Sequence, residues 1–337
     1  MAPKAVIFGC EGLSLTAWER DFFAAQDPFG FILFARNCDT PDQIRTLVAA
    51  LRESVGRPDA PVLIDQEGGR VARLKPPHWR SAPPAARFGV LATRDSESAR
   101  EAAWMNARMM AAELRALDIT VDCVPVLDIA VPGAHDVIGD RSFGRDPKTV
   151  AALGRAVCDG MLAGGVMPVV KHIPGHGRAG VDSHLSLPQV TTGRAELEAS
   201  DFAPFKALAD APWAMTGHVV YQAIDPQRPA TTSRIVIEEV IRGHIGFKGV
   251  LVSDDLSMQA LSGDLGERAK AALQAGCDIA LHCNGKPEEM TQVAAACGKL
   301  AGPSLARVKA AAKRLKTPQA IDMAAATSRL NVLLGTA

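Results

Sequence analysis

The sequence lacks the features that mark membrane, disulfide-stabilised and nucleic-acid-binding proteins. No apolar run among its 337 residues approaches the roughly 18 to 20 residues that span a bilayer. Its 7 cysteines include no CxxC pair, which argues against a disulfide framework or a zinc knuckle and favours free thiols in a reducing cytoplasm. Basic and acidic residues balance at 37 each, so no net charge attracts a nucleic acid or an anionic membrane. We therefore expect a cytoplasmic protein that acts on a small neutral or mixed-charge molecule.

Several enzyme signatures are missing as well. There is no GxxxxGK[ST] phosphate loop and no GxSxG turn, so nucleotide hydrolysis and serine-esterase chemistry have no support. The composition, 47% hydrophobic and 22% charged, is that of a globular chain that can bury a large core.

What the sequence does contain is a regular alternation of short apolar runs with amphipathic, helix-forming stretches such as Ser96 to Leu117. The predicted strands are Ala5 to Cys10, Gly30 to Ala35, Val62 to Glu67, Val121 to Asp128, Val166 to Ile173, Trp213 to Val219, Gly249 to Asp255 and Ile279 to Cys283. Such βα repeats predict a single (β/α)8 TIM barrel, with a doubly wound open sheet as the alternative.

Polar residues that suit catalysis or binding gather where these strands end. They are Asp65, Gln66, Glu67, Asp128, Lys171, His172, His218, Ser253, Asp254, Asp255 and His282. A closed barrel brings all its strand ends to one mouth, whereas an open sheet brings only some together, so this distribution favours the barrel. No shift in composition marks a boundary, and we expect residues 1–337 to form one catalytic domain, with helices from about 303 to 337 packing on the barrel.

The segment from Lys171 to His184 holds the densest set of these residues. It combines histidines with a lysine and an aspartate in a glycine-rich loop after a strand, and histidine titrates near neutral pH. The histidines and Asp182 could also form a metal site, but their spacing matches no HExxH-type signature. We expect no metal and no cofactor.

Other strand ends suggest ligand-binding or catalytic groups. Neighbouring strand residues face opposite sides, so only one of Asp254 and Asp255 can face the mouth, and a helix cap is the alternative role for Asp255. Asp65 could accept hydrogen bonds from vicinal hydroxyls while Arg73 donates to another oxygen, or the two could form an ordinary salt bridge. Arg141 could donate to the ligand or tether its own loop.

These motifs closely resemble glycoside hydrolase family 3, specifically its single-domain bacterial β-N-acetylglucosaminidases of the NagZ type. The resemblance covers nearly the whole chain and rests on six motifs in the same order. They are Ile32-Leu-Phe-Ala-Arg-Asn37, Asp65-Gln-Glu-Gly-Gly-Arg70, His135-Asp-Val-Ile-Gly-Asp-Arg-Ser-Phe143, Lys171-His-Ile-Pro-Gly-His-Gly177, Asp182-Ser-His184 and Ser253-Asp-Asp-Leu-Ser-Met258.

The resemblance implies a retaining exo-hydrolase that removes terminal β-linked N-acetylglucosamine. It places the nucleophile at Asp254 and the acid/base at His184, with Asp182 orienting and tuning the imidazole. It implies that the terminal sugar is bound by Asp65, Arg73, Arg141, Lys171 and His172. His176 receives no role.

The family context further implies a monomer that recycles peptidoglycan by cleaving N-acetylglucosamine from 1,6-anhydro-N-acetylmuramoyl peptides. Many family 3 glucosidases take their acid from a second domain, which we expect to be absent here, so the acid must come from a barrel loop. We expect that loop, Pro174 to His184, to move as a lid. Two alternatives stay open: a phosphorylase, because a neutral histidine does not repel phosphate, and a catalytically silent sugar-binding barrel.

Overall fold

Eight parallel strands close into a barrel in the computed structural model, which describes residues 2–181, 183 and 186–336. Including four short strands outside the barrel, the strands are β1 (Lys4–Gly9), β2 (Pro28–Leu33), β3 (Val62–Ile64), β4 (Gln66–Gly68), β5 (Val71–Ala72), β6 (Val121–Asp122), β7 (Met167–Ile173), β8 (Gln189–Val190), β9 (Trp213–Thr216), β10 (Val220–Tyr221), β11 (Val250–Asp255) and β12 (Ile279–His282). The barrel order is β1-β2-β3-β6-β7-β9-β11-β12, and β12 pairs with β1 to close it. The predicted TIM barrel is confirmed.

Helices follow most barrel strands and form the outer layer. They are α1 (Ala17–Gln26), α2 (Pro41–Ser54), α3 (Ala85–Ala92), α4 (Ser96–Arg115), α5 (Pro147–Ala163), α6 (Arg194–Ala199), α7 (Ala203–Ala207), α8 (Leu265–Ala275), α9 (Pro287–Ala296), α10 (Gly302–Ala312) and α11 (Met323–Leu334). Side-chain caps fix several starts, as where Asp264 accepts from the backbone of Glu267 at the start of α8. A π-helical stretch, Val236–His244, lies between β10 and β11.

Strand periodicity divides the core into two apolar layers. In β1, Ile7 lies in the cluster inside the barrel, while its neighbours Val6 and Phe8 lie in the cluster between barrel and helices. The same alternation puts Val250 and Val252 of β11 inside and Leu251 outside. Any residue that continues an inward row beyond the last apolar layer therefore faces the mouth of the barrel.

Three of the predicted strands end at least three residues early: Val62 to Glu67 ends at Ile64, Val121 to Asp128 at Asp122, and Trp213 to Val219 at Thr216. The chain leaves the barrel after Ile64 and folds back as the β4–β5 hairpin, where Gly68 and Gly69 both have positive φ. After Asp122 the regular ladder stops near Pro125, which has no N–H to donate. These irregular segments place polar groups above the barrel.

The C-terminal helices pack on the barrel layer. An inner-layer residue of the barrel bottom, Trp213, shares a cluster with Ala311 of α10, and Arg329 of α11 forms an ion pair with Glu101 of α4 at 2.8 Å. Across the described ranges, no helix combines the length and the apolar character needed to cross a membrane.

Candidate active site

A cavity of about 330 Å³ opens at the C-terminal ends of the barrel strands. Its polar wall is formed by Asp65, Glu67, Arg70, Arg73, Arg141, Lys171, His172, His176, Ser183, Asp254 and Asp255. Its apolar wall is formed by Ile32, Phe34, Val71, Val137, Ile138, Met215, Met258, Leu281 and Cys283. An apolar pocket with a few converging polar groups is typical of a small-molecule site, and this end of a TIM barrel is where such sites lie.

Inward rows of the strands deliver the key side chains to this cavity. Asp65 is two residues beyond Leu63 of the inner layer, and Lys171 is two beyond Val169. Asp254 likewise follows Val252, so it faces the mouth as the alternation predicts.

One side of the cavity is a network of alternating charges. The ammonium of Lys171 lies 2.8 Å from Asp65 Oδ1 and 2.7 Å from Glu67 Oε1. Arg73 donates to Asp65 Oδ2 at 2.9 Å, and Arg141 donates to both oxygens of Glu67 at 2.8 and 2.9 Å. We call these five residues the charged wall.

In the charged wall, attraction between opposite charges outweighs the effect of burial and keeps each group ionised. Burial by itself raises the pKa of the Asp65 and Glu67 carboxyls, but Lys171 and the arginines bring both pKa values below their ordinary ones. Burial likewise lowers the pKa of Lys171, yet Asp65 and Glu67 raise it above the usual lysine value. These groups stay charged throughout the physiological pH range.

For Arg73 and Arg141 the sequence left two roles open, contact with a ligand or a structural contact within the protein. Asp65 and Arg73 do form a salt bridge, and Arg141 does tether its loop by donating to the carbonyl oxygen of Val137 at 3.0 Å. Both arginines nevertheless line the cavity, so internal pairing and ligand contact coexist.

Asp255 has a structural role that differs from a helix cap. Its carboxylate accepts from the backbone N–H of Ser257 at 3.1 Å, from the Ser257 hydroxyl at 2.6 Å and from the N–H of Cys283 at 3.2 Å. It therefore closes a turn and ties β11 to the end of β12, whereas the next helix is capped by Asp264. Asp254 and Asp255 thus carry different tasks.

His172 and His176 also line the cavity. His172 Nδ1 lies 2.6 Å from Asp128 Oδ2, and the other Asp128 oxygen accepts the backbone N–H of His176 at 2.6 Å. Burial, followed by the proximity of His172, lowers the pKa of His176 to about 4, so its ring is neutral at physiological pH. We call His172, His176, Ser183 and Asp254 the histidine wall.

Besides Gln66 and Asp128, three polar strand-end residues do not line the cavity: His218, Ser253 and His282. His218 is buried between the Thr231 hydroxyl at 2.8 Å and the Asp255 carbonyl at 2.9 Å. His282 packs against Phe8 in the outer layer, and the Ser253 hydroxyl accepts the backbone N–H of Leu281. Each lies out of phase with the inward row of its strand.

The predicted acid/base pair, Asp182 and His184, lies outside the described residues. Asp65, Arg73, Arg141, Lys171, His172 and Asp254 are all brought to one cavity. Within residues 2–181, 183 and 186–336, no group of three or more His, Cys, Asp or Glu side chains is arranged to hold a metal ion.

Some cavity residues had no assigned role in the sequence analysis, chiefly Glu67, Ser183 and Phe34. Glu67 stands two positions after Asp65, and that spacing is a usable signal because residues two apart share a strand face. Phe34 presents its ring to Arg73, whose guanidinium carbon lies 5.1 Å from the ring centre.

Chemically, the cavity can bind a polyhydroxylated ligand and attack it. The charged wall offers fixed donors and acceptors for hydroxyl groups, and the apolar wall suits a ring face or a methyl group. Asp254 supplies a carboxylate to the same cavity.

Comparison with known proteins matches this picture. The family model for the glycosyl hydrolase family 3 N-terminal domain matches residues 19–318. A β-hexosaminidase of Alkalilimnicola ehrlichii is 42% identical over 295 residues, which cover 86% of this chain and 82% of that protein.

Solved structures are similar over nearly the whole chain. NagZ from Neisseria gonorrhoeae, in complex with N-trifluoroacetyl-D-glucosamine, superposes with a TM-score of 0.89 at 34% identity and 99% coverage of both chains. A family 3 β-N-acetylglucosaminidase from Paenibacillus sp. gives a TM-score of 0.85 at 32% identity, with 98% of this chain aligned to 66% of that one.

Proposed function

Because the chain belongs to glycosyl hydrolase family 3 and is a glycoside hydrolase of the β-hexosaminidase type, we propose that it removes terminal β-linked N-acetylglucosamine with retention of configuration. The observation that carries this proposal is the position of Asp254, which faces the same cavity as the charged wall. A β-N-acetylglucosaminidase and a complex with an N-acylated glucosamine among the similar structures support the choice of sugar.

In the proposed mechanism the charged wall and His172 hold the terminal sugar. Asp65 accepts from hydroxyl groups, and Arg73, Arg141 and Lys171 donate to ring substituents. Because their internal ion pairs already fix these side chains, little conformational entropy is lost when the sugar binds.

Bond cleavage is proposed to proceed in two steps. Asp254 attacks the anomeric carbon as the glycosidic C–O bond breaks, and His184, as an imidazolium oriented by Asp182, gives its proton to the leaving oxygen. Water then attacks the glycosyl-enzyme, His184 takes its proton, and the Asp254 carboxylate is released. Retention follows from two inversions at the same carbon.

We propose the finer assignments on the resemblance alone. The substrates are 1,6-anhydro-N-acetylmuramoyl peptides that carry N-acetylglucosamine, the setting is peptidoglycan recycling in the cytoplasm, and residues 1–337 act as one catalytic domain and as a monomer.

The test is hydrolysis of an aryl β-N-acetylglucosaminide by the wild-type protein, Asp254→Asn and His184→Ala. Removing the nucleophile of a serine-protease triad costs on the order of 10⁶-fold in kcat, so we expect Asp254→Asn to be nearly inactive. Asp264→Asn is the matched control, because it makes the same chemical change in the same connection and asparagine is an equally good helix cap. Wild-type-like turnover by Asp254→Asn would show that the nucleophile is misassigned.

Product analysis separates the remaining candidates. In phosphate buffer we expect free N-acetylglucosamine, whereas the 1-phosphate would indicate a phosphorylase. Tight binding of the sugar without turnover would indicate a silent binding protein.

A further inference from the structure

His176 is the one buried cavity histidine for which the proposed mechanism has no use. It follows β7 and is 3% exposed. Its backbone is fixed on both sides: the N–H donates to Asp128 at 2.6 Å, and the carbonyl oxygen accepts from Ala179 at 3.1 Å. The preceding residue, Gly175, is held by the Tyr221 hydroxyl, which donates to its carbonyl oxygen.

Among the residues that the structure describes, the ring of His176 has Ser183 as a polar partner. Its Nε2 lies 3.2 Å from the hydroxyl oxygen of Ser183, which is itself 3% exposed. Two buried polar groups that share a hydrogen bond are costly to separate, because each loses that partner away from solvent. In this conformation the pair therefore ties Ser183 to the segment that follows β7.

Ser183 is also held from the other side. Its carbonyl oxygen accepts the backbone N–H of Ala260 at 3.3 Å, in the loop that follows Asp254. The serine thus links the β7 connection to the β11 connection, and both His176 and Ser183 line the cavity.

The position of Ser183 in the sequence connects this link to the proposed acid/base. It stands between Asp182 and His184, and consecutive Cα atoms are only about 3.8 Å apart. Whatever fixes Ser183 therefore restricts where its two neighbours can be.

We propose that His176 is a positioning residue that, through its contact with Ser183, sets where the Asp182–His184 pair delivers its proton. The inference rests on the proposed function, because it needs His184 to be the acid/base. A neutral imidazole suits this role, since it offers one donor and one acceptor without adding a charge beside Asp254.

The experiment compares kcat/KM for β-N-acetylglucosaminides whose leaving groups differ in basicity, because kcat/KM reports the glycosylation step alone. An alkyl alkoxide needs a proton from the acid, whereas 2,4-dinitrophenolate leaves without one. His176→Leu should lower kcat/KM for the alkyl glycoside about 10- to 100-fold, part of the contribution of a general acid, and leave the dinitrophenyl glycoside near the wild-type value.

Three further variants separate positioning from simple support of the fold. Ser183→Ala should show the same dependence on the leaving group, and the double variant should lose little more than either single one. His176→Gln, whose amide reaches the position of Nε2, should restore much of the alkyl activity. If His176→Leu fails to fold, Ser183→Ala and His176→Gln carry the test.

The matched control is His218→Leu, which breaks another buried histidine–hydroxyl pair, with Thr231 at 2.8 Å, away from the cavity. Any loss there should be equal for both leaving groups. Equal losses in His176→Leu, or wild-type kinetics in Ser183→Ala, would overturn the inference. A wild-type protein that hydrolyses neither glycoside would instead refute the proposed function.

Discussion

The two walls of the cavity handle charge in opposite ways. In the charged wall every carboxylate has two cationic partners within 2.9 Å, and Lys171 bridges Asp65 to Glu67. In the histidine wall the ring of His176 is neutral, and the partner of His172 is the buried Asp128.

This contrast separates recognition from proton transfer. The carboxyl pKa values of the charged wall are lowered and that of Lys171 is raised, so none of these groups exchanges a proton near neutral pH. They can only bind. The proposed mechanism accordingly assigns the chemistry that moves protons and forms a bond to the side that holds Asp254 and the connection after β7.

The largest effect should come from breaking the charged wall at its centre. Lys171→Met should lower the free energy of unfolding by about 3 to 5 kcal/mol, because two buried carboxylates lose a shared counterion. Urea denaturation measures the loss, and the KM of any folded variant should rise steeply.

Lys309→Met, a change of the same kind on the exposed side of α10, serves as the control and should stay within about 0.5 kcal/mol of the wild type. If the two variants were equally stable, Lys171 could not be the counterion on which the charged wall depends.

The pH dependence of stability should distinguish the walls. An unfolded histidine protonates below its ordinary pKa of 6.5, while folded His176 resists protonation until about pH 4. Protons therefore favour the unfolded state across that interval, and stability should fall by up to roughly 3 kcal/mol as the pH drops through it. His218 and His282, whose pKa values are also lowered, act in the same direction.

The charged wall should respond only at more acid pH. Asp65 and Glu67 have folded pKa values below their ordinary 3.8 and 4.5, so their contribution is present above those values and is lost as the pH falls further. Urea denaturation of the wild type and His176→Leu between neutral pH and about pH 4 checks this, since the variant should have a flatter profile. Parallel profiles would mean that His176 is not buried as a neutral ring.

Periodicity made much of this arrangement predictable from the sequence. All eight barrel strands were located, and the aspartate that the resemblance named, Asp254, continues the inward row of Val250 and Val252. The expectation that only one of the two aspartates faces the mouth was too strict, because Asp255 also lines the cavity. The same rule applied further would have excluded His218 and His282, because each is one residue out of phase with its inward row.

Features that do not depend on strand periodicity were harder to predict from the sequence. β3 ends at Ile64 instead of Glu67, because the glycines after Glu67 let the chain turn back as a hairpin. That Glu67 bridges Arg141 and Lys171, residues far apart in the chain, depends on loop paths that no local pattern encodes. The contact of His176 with Ser183 is of the same kind.

The smallest predicted effect concerns an exposed ion pair next to the charged wall. It tests whether burial determines how much an ion pair contributes to the free energy of unfolding. Arg70 lies at the rim of the charged wall and pairs with Asp140 at 2.8 Å, with 45% and 43% of the two side chains exposed. Asp140→Asn keeps an oxygen acceptor but removes the charge, and exposed ion pairs contribute at most about 1 kcal/mol, so the free energy of unfolding should change by less than that. Glu67→Gln makes the same chemical change where the carboxylate is 6% exposed. It should cost about 3 kcal/mol, because Arg141 loses its buried carboxylate and Lys171 keeps only Asp65. Urea denaturation of the two variants side by side gives the comparison, and equal losses would mean that desolvation does not set the strength of these pairs.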